Sequence, residues 1–299
     1  MRLPRTARER ATDLWLAGPA ILAMAVLIFA PVAIVAVLSF TDYQFGARTF
    51  HWIGWENYAT LFTDPVGRKA MTNTLIYVAV VIPFAMGLAL VVALGLHALA
   101  ERFPRISATL RAAYFLPVAA TLVAMALAWQ MLLHPSIGLV NQILGGLGLP
   151  APDWLSDRGL VIYTLAAIGI WQSVGYNMVL FLAGLAAIPP DLYEAAEVDG
   201  ATQGWERFWT VTWPMLGPTT LFVAVITATQ AFRVFETVAT LTRGGPAFAS
   251  DTLVYALYRE GFEYFKAGYA SAITMVFFVL MVALTLAQFR VLERRVHYR

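Results

Sequence analysis

The sequence predicts an all-α protein whose solvent is a lipid bilayer, with six helices crossing it. Three observations carry that prediction. Of the 299 residues, 60% are hydrophobic and only 13% charged, with a mean hydropathy of +0.70, whereas a soluble domain carries about 25% charged residues. Six apolar runs reach the roughly 20 residues that a helix needs to cross hydrocarbon. Those runs mostly lack the polar face that the helices of a soluble all-α core would show.

The runs lie at Leu14–Phe40, Thr72–Leu99, Ser107–Leu133, Leu160–Ala187, Met215–Val238 and Tyr269–Gln288. The first exceeds the roughly 7–15 residues of a signal-peptide core and has no evident A-x-A cleavage site, so it reads as a span. Pro83, Gly87, Pro117, Gly169 and Gly175 fall inside spans. In lipid such residues kink a helix or let it pack closely rather than ending it. The whole reads as one membrane domain over residues 14–290, with short tails at 1–13 and 291–299.

Six spans put both termini on one side. That side would hold Arg2, Arg5, Arg8, Arg10, Arg102, Arg105, Arg111, Arg207, Arg290, Arg294, Arg295 and Arg299, twelve cations. The other would hold seven, Arg48, Arg68, Lys69, Arg158, Arg243, Arg259 and Lys266, on longer loops rich in aromatic residues. The positive-inside bias makes both termini cytoplasmic. On the outer loops, Arg243, Arg259, Glu260, Glu263 and Lys266 read most simply as solvated, with docking of another protein as the functional alternative.

Several chemistries are excluded. There is no cysteine, so neither disulfides nor thiolate metal sites can form. The four histidines are scattered without an HExxH pattern, and no GxxxxGK[ST] loop is present to cradle a nucleotide phosphate. The chain is expected to be non-catalytic, to bind no cofactor or metal, and to have no dealings with nucleic acid.

The segment between spans four and five, "PPDLYEAAEVDGATQGWERFWTVTWP" over residues 189–214, is the polar exception. Pro189 and Pro190 stop the fourth span. Asp191 can N-cap a new helix, with Glu194 reaching back as in a capping box. Gly200 supplies the left-handed position after that helix. Trp205, Trp209 and Trp213 recur at four-residue spacing, so a second helix presents them on one face. A hairpin lying among lipid headgroups explains the tryptophans. It leaves unexplained five acidic residues on the side where cations are favoured. A surface that docks a separate cytoplasmic protein explains both.

"EAAEVDG" followed by "RFWTVTWP" resembles the EAA loop of permease subunits in binding-protein-dependent ABC importers. Glu194, Ala195, Ala196, Gly200 and Pro214 match its pattern. Ten residues rather than nine separate Gly200 from Val211, and Trp213 stands where leucine is usual; the extra residue falls near Thr202–Gly204, in the turn. "FLAGLAAIPPDLYEAAEVDGA" and the outer "LTRGGP" are similar to the carbohydrate uptake transporter-1 branch, maltose-permease-like. The stretch from Tyr258 to Tyr298 is similar to its glycerol-3-phosphate permease subunits.

The resemblance implies a type I ABC importer permease fold in a bacterial inner membrane. It also implies a second homologous permease subunit, two ATPase subunits carrying the ATP and Mg, and an extracytoplasmic solute-binding protein. The helix after Gly200 would be the coupling helix, with Trp205, Arg207 and Phe208 on it. Glu194 would make a charged contact with the ATPase, alongside or instead of its capping role. The substrate class would be a sugar, a sugar derivative or a glycerol-phosphate type of molecule.

Intramembrane polar groups are expensive and line cavities or pair with each other. Gln172, Tyr176 and Asn177 lie in span four, while Gln230, Arg233 and Glu236 follow at three-residue spacing in span five and should share a helical face. These six are the candidates for a substrate pathway, with Trp129 and Gln130 weaker ones. Gln172 and Asn177 could instead bond between helices, and Arg233 could simply pair with Glu236. A gradient-driven secondary transporter, with midplane charges as coupling sites, is the alternative function. It has no need of a cytoplasmic docking hairpin. A scaffold without transport has no need of aligned intramembrane amides and charges.

Overall fold

The computed structural model describes residues 7–202 and 204–295. In chain order its helices are α1 (Ala7–Met24), α2 (Ala30–Leu38), α3 (Glu56–Thr63), α4 (Pro65–Arg102), α5 (Pro104–Ala119), α6 (Leu122–Leu132), α7 (Leu139–Gly146) and α8 (Val161–Ala186). There follow α9 (Pro190–Val198), α10 (Gly204–Arg207), α11 (Trp213–Met215), α12 (Gly217–Phe232), α13 (Glu236–Leu241), α14 (Leu253–Tyr258) and α15 (Ala267–Arg295). Among the described residues, five helices are long and apolar enough to cross a membrane, and one bent pair brings the number to six. The only β pairing described is an isolated bridge, Thr41 to Trp52. In hydrocarbon this helical monotony is forced, because each backbone N–H and C=O must find its partner within its own segment.

The chain forms two compact units. The first comprises the described residues up to Asp64 and Leu257–Val276. Its span, Leu16–Leu38, buries none of its side chains. Asn57, buried, ends that span by donating from Nδ2 to the carbonyls of Ser39 (2.9 Å) and Thr41 (2.8 Å). Phe40 packs its ring on Trp52, Trp55 and Tyr58 at centroid distances of 5.5, 5.0 and 5.4 Å. Asp42 accepts the His51 backbone N–H at 2.6 Å and faces the ring Nδ1 at 3.1 Å. The backbone bond first, then the ring, holds its carboxyl below the usual aspartate range.

The loop charges of this unit are a correction to the solvated reading. Arg259 and Glu260 are buried in a π-helical turn, Arg259–Glu263. Glu260 is sandwiched between cations, Oε1 at 3.3 Å from Arg259 and Oε2 at 3.6 Å from Lys266. Buried charge persists only when paired, and sequence spacing alone does not reveal the pairing. Glu263 and Lys266 are exposed as expected.

The second unit, the described residues of Pro65–Ala256 and from Phe277 onward, holds the core. It is built on α4 against α8. Ala85, Ala89 and Ala93 recur every fourth residue along α4, all fully buried. They let α8 approach closely and bring Leu165, Met178 and Phe181 into contact. Gly175 of α8 lies directly against the Tyr114 carbonyl of α5, where a Cβ would collide with backbone. Gly169 sits against the Tyr77 hydroxyl in the same way.

The third span departs from the single, at most kinked, helix expected over Ser107–Leu133. α5 and α6 meet at 101°, with Ala120 and Thr121 extended between them. Pro117 lies just upstream in α5. Its ring crowds the carbonyl one turn earlier and its missing N–H weakens the final turn. The expected gentle kink is instead a corner.

Candidate functional site

The fifth span is also interrupted. α12 stops at Phe232, Arg233 takes φ −90°, ψ 16°, and Phe235 takes φ −137°, ψ −58° before α13 begins at Glu236. Gln230, Arg233 and Glu236 therefore do not share one face of a continuous helix, as their spacing suggested. The turn tightens instead, with the Arg233 N–H on the Gln230 carbonyl (3.1 Å) and the Val234 N–H on that of Ala231 (3.3 Å). The fully buried Thr252 donates its hydroxyl to the freed Val234 carbonyl at 3.3 Å. The break is compatible with membrane depth because its polar groups are met by protein.

The break opens a cavity of about 500 Å3 between α4, α8 and the two halves of span five. Gln172, Tyr176, Gln230, Arg233 and Glu236 all line it. Arg233 and Glu236 are both exposed to it, and among the described residues no ion pair joins them. The cavity thus offers a planar five-donor guanidinium, a carboxylate acceptor, two amides and phenolic hydroxyls. Such a set matches a ligand rich in hydroxyls or carrying an oxyanion. Among the described residues no three His, Asp or Glu side chains converge as a metal group would need.

Asn177 does not reach the cavity. It is fully buried between α8 and α12, where Thr227 Oγ1 donates to its Oδ1 at 3.2 Å. This is the interhelical bond the sequence left open as the alternative. Its Nδ2 has no partner. Tyr77, Ser173 and Thr237 line the cavity without having been picked out from the sequence. A tyrosine near the start of the apolar run of span two was a readable signal; the other two carry none. Trp129 packs edge-on to Trp171 at 5.4 Å, and Gln130 lines a separate pocket.

At one end of α8 the chain turns into the hairpin of residues 189–214. Here the capping box is corrected. Pro189, extended, occupies the N-cap, Pro190 begins α9, and no side chain caps its N-terminus. Proline is preorganised for that first position, which shifts Asp191 and Glu194 two places inward. Asp191 still lies in the first turn, where the helix dipole favours a carboxylate. The far end is as expected. Gly200 takes φ 97°, its N–H reaches the Glu197 carbonyl (3.1 Å), and the Ala201 N–H reaches that of Ala196 (2.9 Å). Those two bonds define a Schellman closure.

The second arm runs from Gly204 through a π-helical turn, Phe208–Thr212, to Met215. Gln203, at the extra residue of the turn, lies outside the described residues. Arg207 bridges the arms, with Nη2 2.7 Å from Glu197 Oε2 and Nε donating to the Ala201 carbonyl at 3.3 Å. Tyr193 and Thr212 join hydroxyls at 3.0 Å, and Ala196 and Val211 are buried. Trp205, Trp209 and Trp213 form an exposed face with consecutive ring distances of 5.5 and 6.1 Å, backed by half-buried Phe208. Glu194 and Ala195 are exposed.

The apolar helices long enough to cross a membrane make this a multi-pass membrane protein, and the second unit encloses a polar cavity. Residues 92–298 match the family of binding-protein-dependent transport system inner membrane components, and the chain belongs to that family. It is 34% identical over 249 residues to the sn-glycerol-3-phosphate transport system permease protein UgpA of Agrobacterium fabrum, covering 83% of each chain. It is 36% identical over 245 residues to the probable ABC transporter permease protein YurN of Bacillus subtilis, covering 81% of this chain and 82% of that one. A bacterial alginate ABC transporter, solved in complex with its alginate pentasaccharide-bound periplasmic protein, contains a chain of the same fold. The TM-score is 0.83 at 24% identity, over 97% of this chain and 98% of that one. The protein is thus an inner-membrane component of an ABC transport system.

The Asn177–Thr227 bond is separable from the cavity. Thr227→Val leaves both ends of a buried amide unpaired and should cost about 1–3 kcal/mol. Adding Asn177→Leu removes the orphaned amide and should recover most of that loss. Thermal unfolding in detergent reads both, and an additive double variant would show that the two side chains do not form a unit.

Proposed function

We propose that the chain is one of two homologous permease subunits of an ATP-driven importer. Its cavity forms part of the path for a sugar, sugar-derivative or glycerol-phosphate type of substrate. An extracytoplasmic solute-binding protein delivers that substrate, and two separate ATPase chains carry the ATP and Mg. The observation that supports the reading best is the interrupted fifth span, which places Arg233 and Glu236 unpaired in a cavity inside the membrane domain. A guanidinium in hydrocarbon costs roughly 2.5–3.5 kcal/mol on insertion scales, a cost most simply explained by a ligand-binding role. The names of the relatives, which cite sn-glycerol 3-phosphate, favour the same substrate class.

The membrane domain spans residues 14–290, both termini and the hairpin are cytoplasmic, and the hairpin is the coupling element. Glu194, Ala195 and Trp205 lie on its exposed side and touch the ATPase. Ala196, Gly200, Arg207 and Phe208 act by holding its shape, consistent with the burial of Ala196, the half-burial of Phe208, the Schellman turn at Gly200 and the ion pair of Arg207.

Three measurements bear on this. Arg233→Met should abolish transport in vesicles while leaving assembly with the ATPase intact; full transport would reduce Arg233 to a structural residue. Gly200→Val places a β-branched side chain at φ 97°, a conformation such residues avoid, and should weaken ATPase co-purification. An undiminished complex would remove the turn from the coupling path. The chain lacks cysteine, so single cysteines can be labelled without background. Position 154 should react from outside intact cells and position 205 should not, and the reverse would invert the topology.

A further inference from the structure

A second polar pocket, of about 380 Å3, lies at the end of the bundle opposite the hairpin. The two ends are separated by the length of α8, 26 residues, or roughly 39 Å at 1.5 Å per residue. Gln130, His134, Asp153, Ser156 and Thr242 contribute its polar lining. It adjoins the large cavity along α13: Thr237 lines that cavity, and Leu241, one helical turn on, lines this pocket.

The walls are fixed independently of anything the pocket holds. Asn141, buried, donates from Nδ2 to the carbonyls of Pro135 and Pro152, each at 3.1 Å, and accepts the Trp154 indole N–H at 2.7 Å. One side chain thereby pins both the loop bearing His134 and the loop bearing Asp153 and Ser156. The third wall is pinned by Ser250, also buried, whose hydroxyl lies 2.7 Å from Thr242 Oγ1 and 2.6 Å from the Gly245 carbonyl. Gly138 closes the first loop so tightly that a Cβ would strike the His134 backbone.

The lining groups keep hydrogen-bonding capacity to spare. His134 Nδ1 accepts the N–H groups of Ser136 (3.2 Å) and Ile137 (3.4 Å), so a neutral ring carries its proton on Nε2 and can donate from there. Asp153 uses Oδ1 on the Ser156 N–H at 3.2 Å, which leaves Oδ2 as an acceptor. The amide of Gln130 and the hydroxyl of Ser156 are both exposed. The lining contains a carboxylate but neither lysine nor arginine, so it should repel a phosphate and suit a neutral molecule that both donates and accepts.

We infer that this pocket is a second ligand site, holding a neutral polyhydroxylated molecule such as a monosaccharide one helical turn outside the large cavity. Its role as an entry station rests on the import reading above; its binding does not. The test uses the full chain in lipid nanodiscs, with D-glucose and sn-glycerol 3-phosphate as probes in saturation-transfer NMR. Glucose should bind, and its affinity should fall about tenfold in Gln130→Leu/Ser156→Ala, as expected for two lost hydrogen bonds. Gln130→Trp, which fills the pocket, should remove that component altogether, whereas Arg233→Met should leave it in place. Glycerol 3-phosphate binding should be indifferent to the Gln130 and Ser156 changes. Glucose binding unaltered in both pocket variants, or absent from the unmodified chain, overturns the inference. So does glycerol 3-phosphate binding that is lost with them. Normal transport by Arg233→Met would count against the large cavity and leave this outcome untouched.

Discussion

A peptide group in hydrocarbon has no water to fall back on, and each unmet N–H or C=O costs several kcal/mol by order of magnitude. That constraint forces the apolar runs into helices and limits where a helix can stop. The fifth span stops at Arg233, where the buried Thr252 hydroxyl meets the freed Val234 carbonyl and a cavity takes the exposed polar side chains. The third span turns its corner at Ala120–Thr121, with Pro117 already weakening the turn before it. The polar cavity is thus a product of broken helices, and an unbroken bundle of the same composition would have nowhere to place Arg233.

Close packing of α4 and α8 supplies the frame that tolerates these breaks. Ala85, Ala89 and Ala93 on α4 and Gly169 on α8 remove side-chain bulk between those two helices, and Gly175 does the same for α8 against the backbone of α5. Van der Waals contact then does the work that water-driven association cannot do between helices already in lipid. Tyr77 emerges from this packed face with its hydroxyl against Gly169, at the wall of the cavity.

The six apolar runs, the stop at Pro189–Pro190, the left-handed Gly200 and the shared tryptophan face were legible because each depends on a local property: hydropathy, fixed φ, or four-residue spacing. The interruption at Arg233 was not. The stretch from Gln230 to Thr237 contains neither proline nor glycine, and what stabilises its break, Thr252, lies far along the chain. The capping box failed for a local reason that propensity could have weighed better, since a proline at the first helical position sets the frame ahead of the aspartate. Burial of Arg259 and Glu260 was hidden because ion pairing is a tertiary fact that charge counting cannot see. Five of the six proposed pathway residues line one cavity, Gln172 and Tyr176 from α8 and Gln230, Arg233 and Glu236 from the broken fifth span, whose interruption leaves those three on the cavity wall.

The hairpin is tied off at three points: the Gly200 closure, the Arg207–Glu197 bridge and the Tyr193–Thr212 contact. Its second arm runs from Gly204 to Met215 and is followed, after Leu216, by α12. Mechanically this is a lever with little compliance. A load applied at Trp205 meets helical backbone through the π-helical turn as far as Met215, and the first joint it encounters is Leu216, where α11 gives way to α12. Displacement entering at the aromatic face would therefore reach α12 through that joint, and the next one along the chain is the break at Arg233 beside the cavity.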